Sequence, residues 1–169
     1  MRLTSERLMI NSFADSDISA QYIGWLNDPE LMKFSEQRHK FHSQASCLQY
    51  LQSFKNTANH FLAIKSSSSG ELLGTMTVYI DTHNATADMG ILVGKAYSNT
   101  GIGTEAWALV QNELLTSSSI RKITAGTLKI NIGMLSIMQK NKMVSDGVRK
   151  SQHLVKGEPT DIIYKAKFK

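Results

Sequence analysis

The stretch from Ala87 to Leu115 constrains the fold of this chain more than any other part of the sequence. Asp88 to Val93 ends in an unbroken apolar run, which predicts a strand covered on both faces. A turn over residues 98–103 follows, with two glycines, and the residues from Thr104 onward have helical spacing. Glycines let the backbone approach a ligand closely, and the N–H groups of the turn and of the first helical turn form a cradle for an anion. This stretch therefore predicts a strand–turn–helix unit that binds a pyrophosphate.

Two common classes of phosphate-binding turn fit this sequence less well. A nucleotide P-loop places Lys-Ser/Thr after its last glycine, whereas Gly103 is followed by Thr104 and Glu105. The dinucleotide fingerprint G-x-G-x-x-G/A matches Gly101, Gly103 and Ala106 in spacing. It also needs an acidic residue at the end of the next strand, about 20 residues further on, and none is present there. A dinucleotide-dependent reductase is therefore the weaker alternative, and it would bind NAD.

The turn resembles motif A of the GNAT superfamily of acetyl-CoA-dependent N-acetyltransferases, Q/R-x-x-G-x-G/A between a strand and a helix. Gly101 and Gly103 occupy its two glycine positions, and Ser98 replaces the usual Gln or Arg. The run 101–106 is similar to the Rim-type branch, which acetylates the N-termini of ribosomal proteins and contains many small-molecule relatives. The opening Leu-Thr-Ser-Glu-Arg-Leu and the Trp-x-Asn-Asp-Pro stretch at 25–29 are also typical of that branch.

This resemblance implies that acetyl-CoA is the co-substrate. It implies that the backbone of the turn holds the pyrophosphate and that the strand beginning at Asp88 splays from a parallel neighbour at 122–127. The acetyl end would lie in that gap, where a backbone N–H near 91–93 polarises the carbonyl. The cofactor-binding residues expected from the resemblance are Ile91, Leu92, Val93, Ser98, Asn99, Thr100, Gly101, Ile102, Gly103, Thr104 and Asn131.

The stretch 131–143 resembles motif B of the same superfamily, N-x-x-S-x-x-x-L/Y-E-K-x-G-F. Asn131 matches its first position, where relatives contact the cofactor or substrate, and asparagine also suits a helix N-cap. The serine and tyrosine that donate a proton in many relatives are replaced by Met134 and Met138. Ser136 is the candidate acid that remains, although helical geometry directs it to a different face. Protonation of the departing thiolate by solvent is the alternative.

A polar cluster at 34–42 contains the candidate catalytic bases. Acetyl transfer needs a neutral, well-aimed amine, a donor for the oxyanion and a proton for the thiolate. Glu36 and His39 could accept the proton of the amine, and the alternative is a solvent-exposed loop. Asp88 could orient an amine, and the favoured alternative is a strand-end residue satisfied by the backbone. No third ligand accompanies the histidines for a metal. In relatives this region and the first two helices wall the acceptor site, so the expected substrate-binding residues are Trp25, Asn27, Arg38 and His42.

The chain as a whole indicates one domain over residues 1–169. Its single cysteine, Cys47, excludes an internal disulfide and favours a cytoplasmic location. No apolar run is long enough to span a membrane, and the N-terminus lacks a signal-peptide core. The net charge of +5 suits an anionic cofactor. No nucleic-acid partner is expected because no nucleic-acid-binding motif is present, and a homodimer is compatible with the sequence.

The periodicity predicts an α/β (α+β) chain in the order β-α-α-α-β-β-β-α-β-α-β-β. The first strand is expected over 3–13, helices after Asp15, Asp28-Pro29 and Ser43, and a polar loop over 153–159 before the last strand. The resemblance implies the GNAT fold. This fold is a mixed, mostly antiparallel sheet of about seven strands, with helices on both faces and splayed central parallel strands.

These patterns together predict an acetyl-CoA-dependent N-acetyltransferase that acts on a primary amine by direct attack. A small or nucleotide-linked amine, such as an amino sugar, is the favoured acceptor, because the cluster at 36–40 could bind hydroxyls and phosphates. A protein N-terminus of the ribosomal-protein type is the alternative acceptor. The alternative from another class is a non-catalytic coenzyme A-binding module, for which the loss of the motif B serine and tyrosine is the support.

Overall fold

The computed structural model describes every residue from Met1 to Lys169. Eight strands form one sheet in the order β1-β2-β3-β4-β5-β6-β8-β7. The strands are β1 (Arg2–Thr4), β2 (Leu8–Ser12), β3 (His60–Ser66), β4 (Leu72–Asp81), β5 (Thr86–Val93), β6 (Lys122–Leu128), β7 (Val144–Val155) and β8 (Glu158–Phe168). The helices are α1 (Ala20–Asn27), α2 (Gln44–Gln52), α3 (Ile102–Ser117) and α4 (Ile132–Lys140). None of the four α-helices combines the length and the hydrophobicity that a membrane span requires.

The centre of the sheet contains its one parallel pair, β5 and β6, and this pair splays. The two strands are paired only as far as Asp88 and Thr124. Beyond that point β5 stays paired with β4 up to Val93, and β6 stays paired with β8 up to Leu128. A V-shaped opening therefore separates residues 89–93 from residues 125–128, which confirms the predicted fold class and splayed strands.

The helices cover both faces of the sheet, as the alternation along β3 shows. Leu62 and Ile64 enter the larger core, which also holds the fully buried Trp107 of α3. Phe61 and Ala63 point to the other face and enter a smaller core with residues of α1 and α2. Successive strand residues face opposite sides of a sheet, and fully burying a large apolar side chain stabilises the fold by about 1.5–3 kcal/mol. The two cores therefore fix α3 and α4 on one face and α1 and α2 on the other.

The first predicted strand is wrong in its extent, because residues 3–13 form an antiparallel hairpin of β1 and β2. Ser5 makes the turn: its backbone N–H donates to the carbonyl of Leu8 at 2.8 Å, and its hydroxyl accepts from the N–H of Leu8 at 3.0 Å. The helix predicted after Asp15 begins later. Residues 15–17 form a 3₁₀ turn, and the hydroxyl of Ser19 caps α1 by accepting from Tyr22.

No α-helix follows Asp28-Pro29, so this predicted helix is wrong. The carboxylate of Asp28 accepts from the N–H groups of Glu30 and Leu31 at 2.8 and 3.2 Å and closes a single turn. Only Met32 of residues 30–39 is buried, so this stretch offers no continuous apolar face to pack on the sheet. A short 3₁₀ helix forms at Glu36–His39. The helix predicted after Ser43 is confirmed as α2, with Ser43 as its N-cap.

The loop predicted over 153–159 is instead the end of a long β7–β8 hairpin. The sheet has eight strands rather than seven because the first predicted strand is divided into β1 and β2. Lys156 and Gly157 both have positive φ, at 52° and 84°. Two such residues in succession suit a tight two-residue hairpin turn. This hairpin extends β7 far enough to meet the segment at 34–42.

Candidate active site

The predicted pyrophosphate turn lies at the N-terminus of α3, beside the open edge of β5. Gly101 has φ +86° and precedes the helix, and Asn99 also has positive φ, at 63°. The backbone N–H groups from Asn99 to Thr104 have no acceptor within the protein. Free N–H groups at a helix N-terminus attract an anion through their own dipoles and that of the helix. The turn therefore has the geometry of an anion cradle, with Ser98 and Thr100 exposed at its rim.

Gly103 has a packing role as well. A Cβ atom there would lie 2.9 Å from Cδ1 of Ile137 and 3.3 Å from Cγ2 of Val93. The missing side chain lets α3 approach both α4 and the end of β5. Ile102 and Ile91 pack against the larger core, so these predicted cofactor residues offer backbone groups more than side chains to a ligand.

Asn131 caps α4, as its residue type predicts. Its side-chain oxygen accepts from the N–H of Met134 at 3.2 Å, and its Nδ2 donates to the hydroxyl of Thr127 at 3.0 Å. The cap fixes the start of α4 against the end of β6, at the mouth of the V-shaped opening. Met138 is fully buried in the larger core and Met134 packs against it. Ser136 lines neither of the two cavities of this region.

A cavity of about 610 Å³ lies on the face of the sheet that carries α1 and α2. Its floor is made by Thr75, Thr77, Gly90 and Leu92, which share one face of β4 and β5 by their register. Hydroxyl and amide side chains are frequent in its lining, and its only formally charged side chain is Lys40. No carboxylate lines it, so the larger cavity offers a cationic group no ion pair.

A smaller cavity of about 430 Å³ lies across the opening, against β6 and β8. Asp88 and Glu36 are on its wall, with Gly126 and Tyr164 on its floor. The ring of Tyr164 occupies the space that a side chain at Gly126 would need, 2.6 Å from an added Cβ. The segment 34–42 contributes residues to both cavities and lies between them.

Glu36 and Arg38 fasten this segment to the β7–β8 hairpin. The Glu36 carboxylate lies 2.9 Å from Nδ1 of His153 and 2.8 Å from Nη1 of Arg38. Arg38 also donates to the carbonyl of Leu154 at 3.1 Å. Partial burial raises the pKa of Glu36, but the bonds to His153 and Arg38 outweigh it and hold this pKa below its ordinary value. A lowered pKa makes Glu36 a weaker base than the sequence interpretation requires.

The two histidines of the segment differ in their surroundings. His39 is exposed and lies 4.0 Å from Glu36, outside both cavities. His42 is buried and lines the larger cavity, with Nε2 at 3.2 Å from the carbonyl of Gln37. A carbonyl only accepts, so Nε2 donates this bond. Asn27 exchanges two hydrogen bonds with the backbone of His42, at 2.8 and 2.9 Å.

Trp25 lies against the end of β5 and lines neither cavity. An added Cβ at Gly94 would be 2.4 Å from Cζ2 of its indole, so the ring rests directly on that glycine. It also meets Tyr97 edge to face, with ring centroids 6.5 Å apart. The indole of Trp25 therefore packs between α1, which carries it, and the turn that leads to the anion cradle.

Asp88 lies at the apex of the V-shaped opening, which the sequence interpretation as a strand-end residue missed. Its carboxylate accepts from the hydroxyl of Thr124 on the parallel neighbour at 2.8 Å. Desolvation by neighbouring groups raises the pKa of Asp88, and the bond from Thr124 opposes this shift without cancelling it. Its place shortly before the apolar run of the strand was the available signal, but only the paired strands show where the carboxylate lies.

The chain belongs to the family described as Acetyltransferase (GNAT) domain, whose model matches residues 7–144. This match confirms the predicted family, the acetyltransferase class and acetyl-CoA as the co-substrate of that class. "Probable N-acetyltransferase YjcK" of Bacillus subtilis (strain 168) is 24% identical over 111 residues, which are 64% of this chain. The match spans about three fifths of that relative, at 61% of its length.

Solved structures of Rim-type and polyamine enzymes have the same fold. The RimL ribosomal alpha-N-protein acetyltransferase in complex with coenzyme A superposes with a TM-score of 0.88 at 15% identity, over 99% of this chain and 98% of that one. Spermidine N-acetyltransferase from Vibrio cholerae, in complex with CoA and spermine, gives 0.86 at 12% identity, over 97% and 96%. At such low identity these likenesses establish the shared fold and leave the acceptor open.

Proposed function

We propose that this protein transfers the acetyl group of acetyl-CoA to the primary amine of a small hydroxylated acceptor whose remainder is neutral or anionic. A free or nucleotide-linked amino sugar has this chemistry. The observation that carries the acceptor class is the larger cavity, whose lining contains hydroxyls and amides, one lysine and no carboxylate. The cavity opens beside the splayed strands, so an acceptor held there can present its amine to the opening.

The anion cradle and the open edge of β5 support acetyl-CoA as the donor. Backbone N–H groups from Asn99 to Thr104 suit the pyrophosphate. The edge of β5 beyond Asp88 has no strand partner on the β6 side, so its backbone groups are free to bind an extended amide chain and to polarise the thioester carbonyl.

Asp88 is the residue that we assign as proton acceptor. In direct attack the amine nitrogen bonds to the carbonyl carbon, the proton of the amine passes to the Asp88 carboxylate, and the carbon–sulfur bond breaks. The thiolate then takes a proton from solvent, because Met134 and Met138 are packed in or against the core and cannot donate one. The raised pKa of Asp88 makes it a better base near neutral pH than an ordinary carboxylate. In this assignment Glu36, His39 and Arg38 transfer no proton, and they contribute to the reaction by fixing the conformation of the segment 34–42.

A polycationic acceptor fits this cavity poorly. Binding a second or third ammonium group away from water requires carboxylates or other acceptors to replace its hydration. Lys40 provides the opposite charge, and it would attract a phosphate or carboxylate on the acceptor. We therefore expect little activity on spermidine, in contrast with the activity named for the Vibrio cholerae enzyme.

A thiol-release assay with acetyl-CoA tests the proposal. The acceptors compared are glucosamine, nucleotide-linked amino sugars, peptides with free N-termini, and spermidine. The Lys40→Glu variant should lose activity on the nucleotide-linked sugars and gain it on spermidine, while Lys33→Glu, exposed and outside the cavity, should change neither. Release with peptides alone would establish the protein N-terminus as acceptor, and tight coenzyme A binding without release on any amine would leave a non-catalytic module.

A further inference from the structure

Arg7 connects the turn between β1 and β2 to the anion cradle. Its Nη1 donates to the carbonyl of Thr100 at 3.2 Å, inside the cradle turn. Its Nε donates to the carboxylate of Glu105 at 2.8 Å, and Nη2 contacts the same carboxylate oxygen. Nη2 would also lie 3.5 Å from a Cβ atom added to Gly101. One guanidinium group thus spans the glycine turn and the first turn of α3.

The same hairpin turn binds the second oxygen of the Glu105 carboxylate. The hydroxyl of Ser5 donates to Oε1 at 2.6 Å. Partial burial raises the pKa of Glu105, but the bonds from Ser5 and Arg7 outweigh it and hold this pKa below the ordinary value. Glu105 is therefore an anion at neutral pH, in the first turn of the helix that bears the cradle.

An uncompensated carboxylate at this place would oppose the binding of a diphosphate. Two anions near one helix N-terminus compete for the same positive potential. The cradle itself has no cation to offset this repulsion, since residues 98–104 include no lysine or arginine. Arg7 is half exposed, and it supplies the missing positive charge from a different strand hairpin.

We propose that Arg7 is a positioning residue for the diphosphate of acetyl-CoA. It neutralises Glu105 and holds the Thr100 carbonyl, so that the free N–H groups of the turn face the ligand. This role rests on the acetyl-CoA-dependent activity proposed above and concerns binding of the donor, not the chemistry at Asp88.

Four variants measured against three ligands test this role. Arg7→Ala removes the bridge, Arg7→Lys keeps the charge but cannot span both partners, and the double variant Arg7→Ala with Glu105→Gln removes the repulsion as well. Arg2→Ala is the matched control, because Arg2 is an exposed arginine of the same hairpin with no ion pair. The ligands are coenzyme A, 3′-dephospho-coenzyme A and pantetheine, of which only pantetheine lacks the diphosphate. Dissociation constants come from calorimetry for the first two and from NMR titration for pantetheine.

Arg7→Ala should weaken both diphosphate ligands about 10-fold or more, since charge-assisted contacts and helix-terminal charges are of this strength. Pantetheine binding should stay as in the wild type, the double variant should recover part of the loss, and Arg7→Lys should fall between. Equal weakening of all three ligands would make Arg7 a merely structural residue and overturn the inference. The inference would also be overturned if the double variant bound coenzyme A no more tightly than Arg7→Ala, or if Arg7→Ala bound it as tightly as the wild type. Failure of the wild type itself to bind coenzyme A would instead overturn the proposed function, on which Arg7's role depends.

Discussion

The Gly101→Ala variant tests whether the anion cradle binds the diphosphate of coenzyme A. Its effect on binding can be separated from the conformational strain that alanine introduces at this position. Gly101 has φ +86° and ψ −8°, in the left-handed region. A Cβ there would meet only Nη2 of Arg7, at the ordinary contact distance of 3.5 Å. The cost of the substitution within the protein is therefore conformational, about 1–2 kcal/mol for an L-residue held in this region.

Gly70→Ala is the matched control for this cost. Gly70 has a similar φ of +73°, no atom within 4 Å of an added Cβ, and lies in the β3–β4 turn, outside the cradle residues 98–104. Both variants should lose about 1–2 kcal/mol of unfolding free energy, and each kcal/mol lowers the melting temperature by roughly 2–4 °C in a chain of this size. Their melting curves should nearly coincide.

Coenzyme A binding should distinguish the two variants. A methyl group on Gly101 adds bulk within the turn whose N–H groups receive the diphosphate, so we expect the affinity for coenzyme A to fall at least about tenfold, or about 1.4 kcal/mol. Gly70→Ala should bind as the wild type does. Calorimetric titration measures both. If Gly101→Ala binds coenzyme A as tightly as Gly70→Ala, the assignment of the pyrophosphate to this turn is refuted.

Three further substitutions probe the rest of the site. Asp88→Asn should lower kcat/KM about 100-fold or more and leave coenzyme A affinity unchanged. Because the wild-type carboxylate must be ionised to accept a proton, wild-type activity should rise with pH through the raised pKa of Asp88. If the variant shows the same rise of activity with pH, Asp88 is not the base. Glu36→Gln should lower turnover more than coenzyme A affinity. Its lowered folded pKa also means that the stability it adds is present above its unfolded pKa and is lost as the pH falls through the folded value, so the two melting temperatures should converge in acid and a constant gap would contradict this. Gly94→Ala places a Cβ 2.4 Å from the indole of Trp25 and should cost about 1–3 kcal/mol in chemical denaturation, with no loss expected from Gly24→Ala, where the added atom meets nothing.

The sequence interpretation was most accurate where the signal is local. The cradle turn and the caps at Ser43 and Asn131 depend on a few consecutive residues and lie where the pattern predicts. The helix α3 was also predicted, but it begins at Ile102, two residues before the predicted start at Thr104. The hairpin at 2–12 was missed because Leu8 and Ile10 alternate as they would in one long strand. The helix after Asp28-Pro29 was wrong because a good N-cap signal does not supply an apolar face.

The glycine turn, the apolar strand before it and the helix after it were determined by the sequence alone, because φ at Gly101 and the free N–H groups depend only on neighbouring residues. Tertiary structure alone decided which charges meet. Arg7 reaches Glu105 across 98 positions, and Glu36 reaches His153 across 117. Asp88 becomes a candidate base only because two strands diverge at its side chain. Contacts between distant residues depend on how the whole sheet assembles, and no local pattern encodes that pairing.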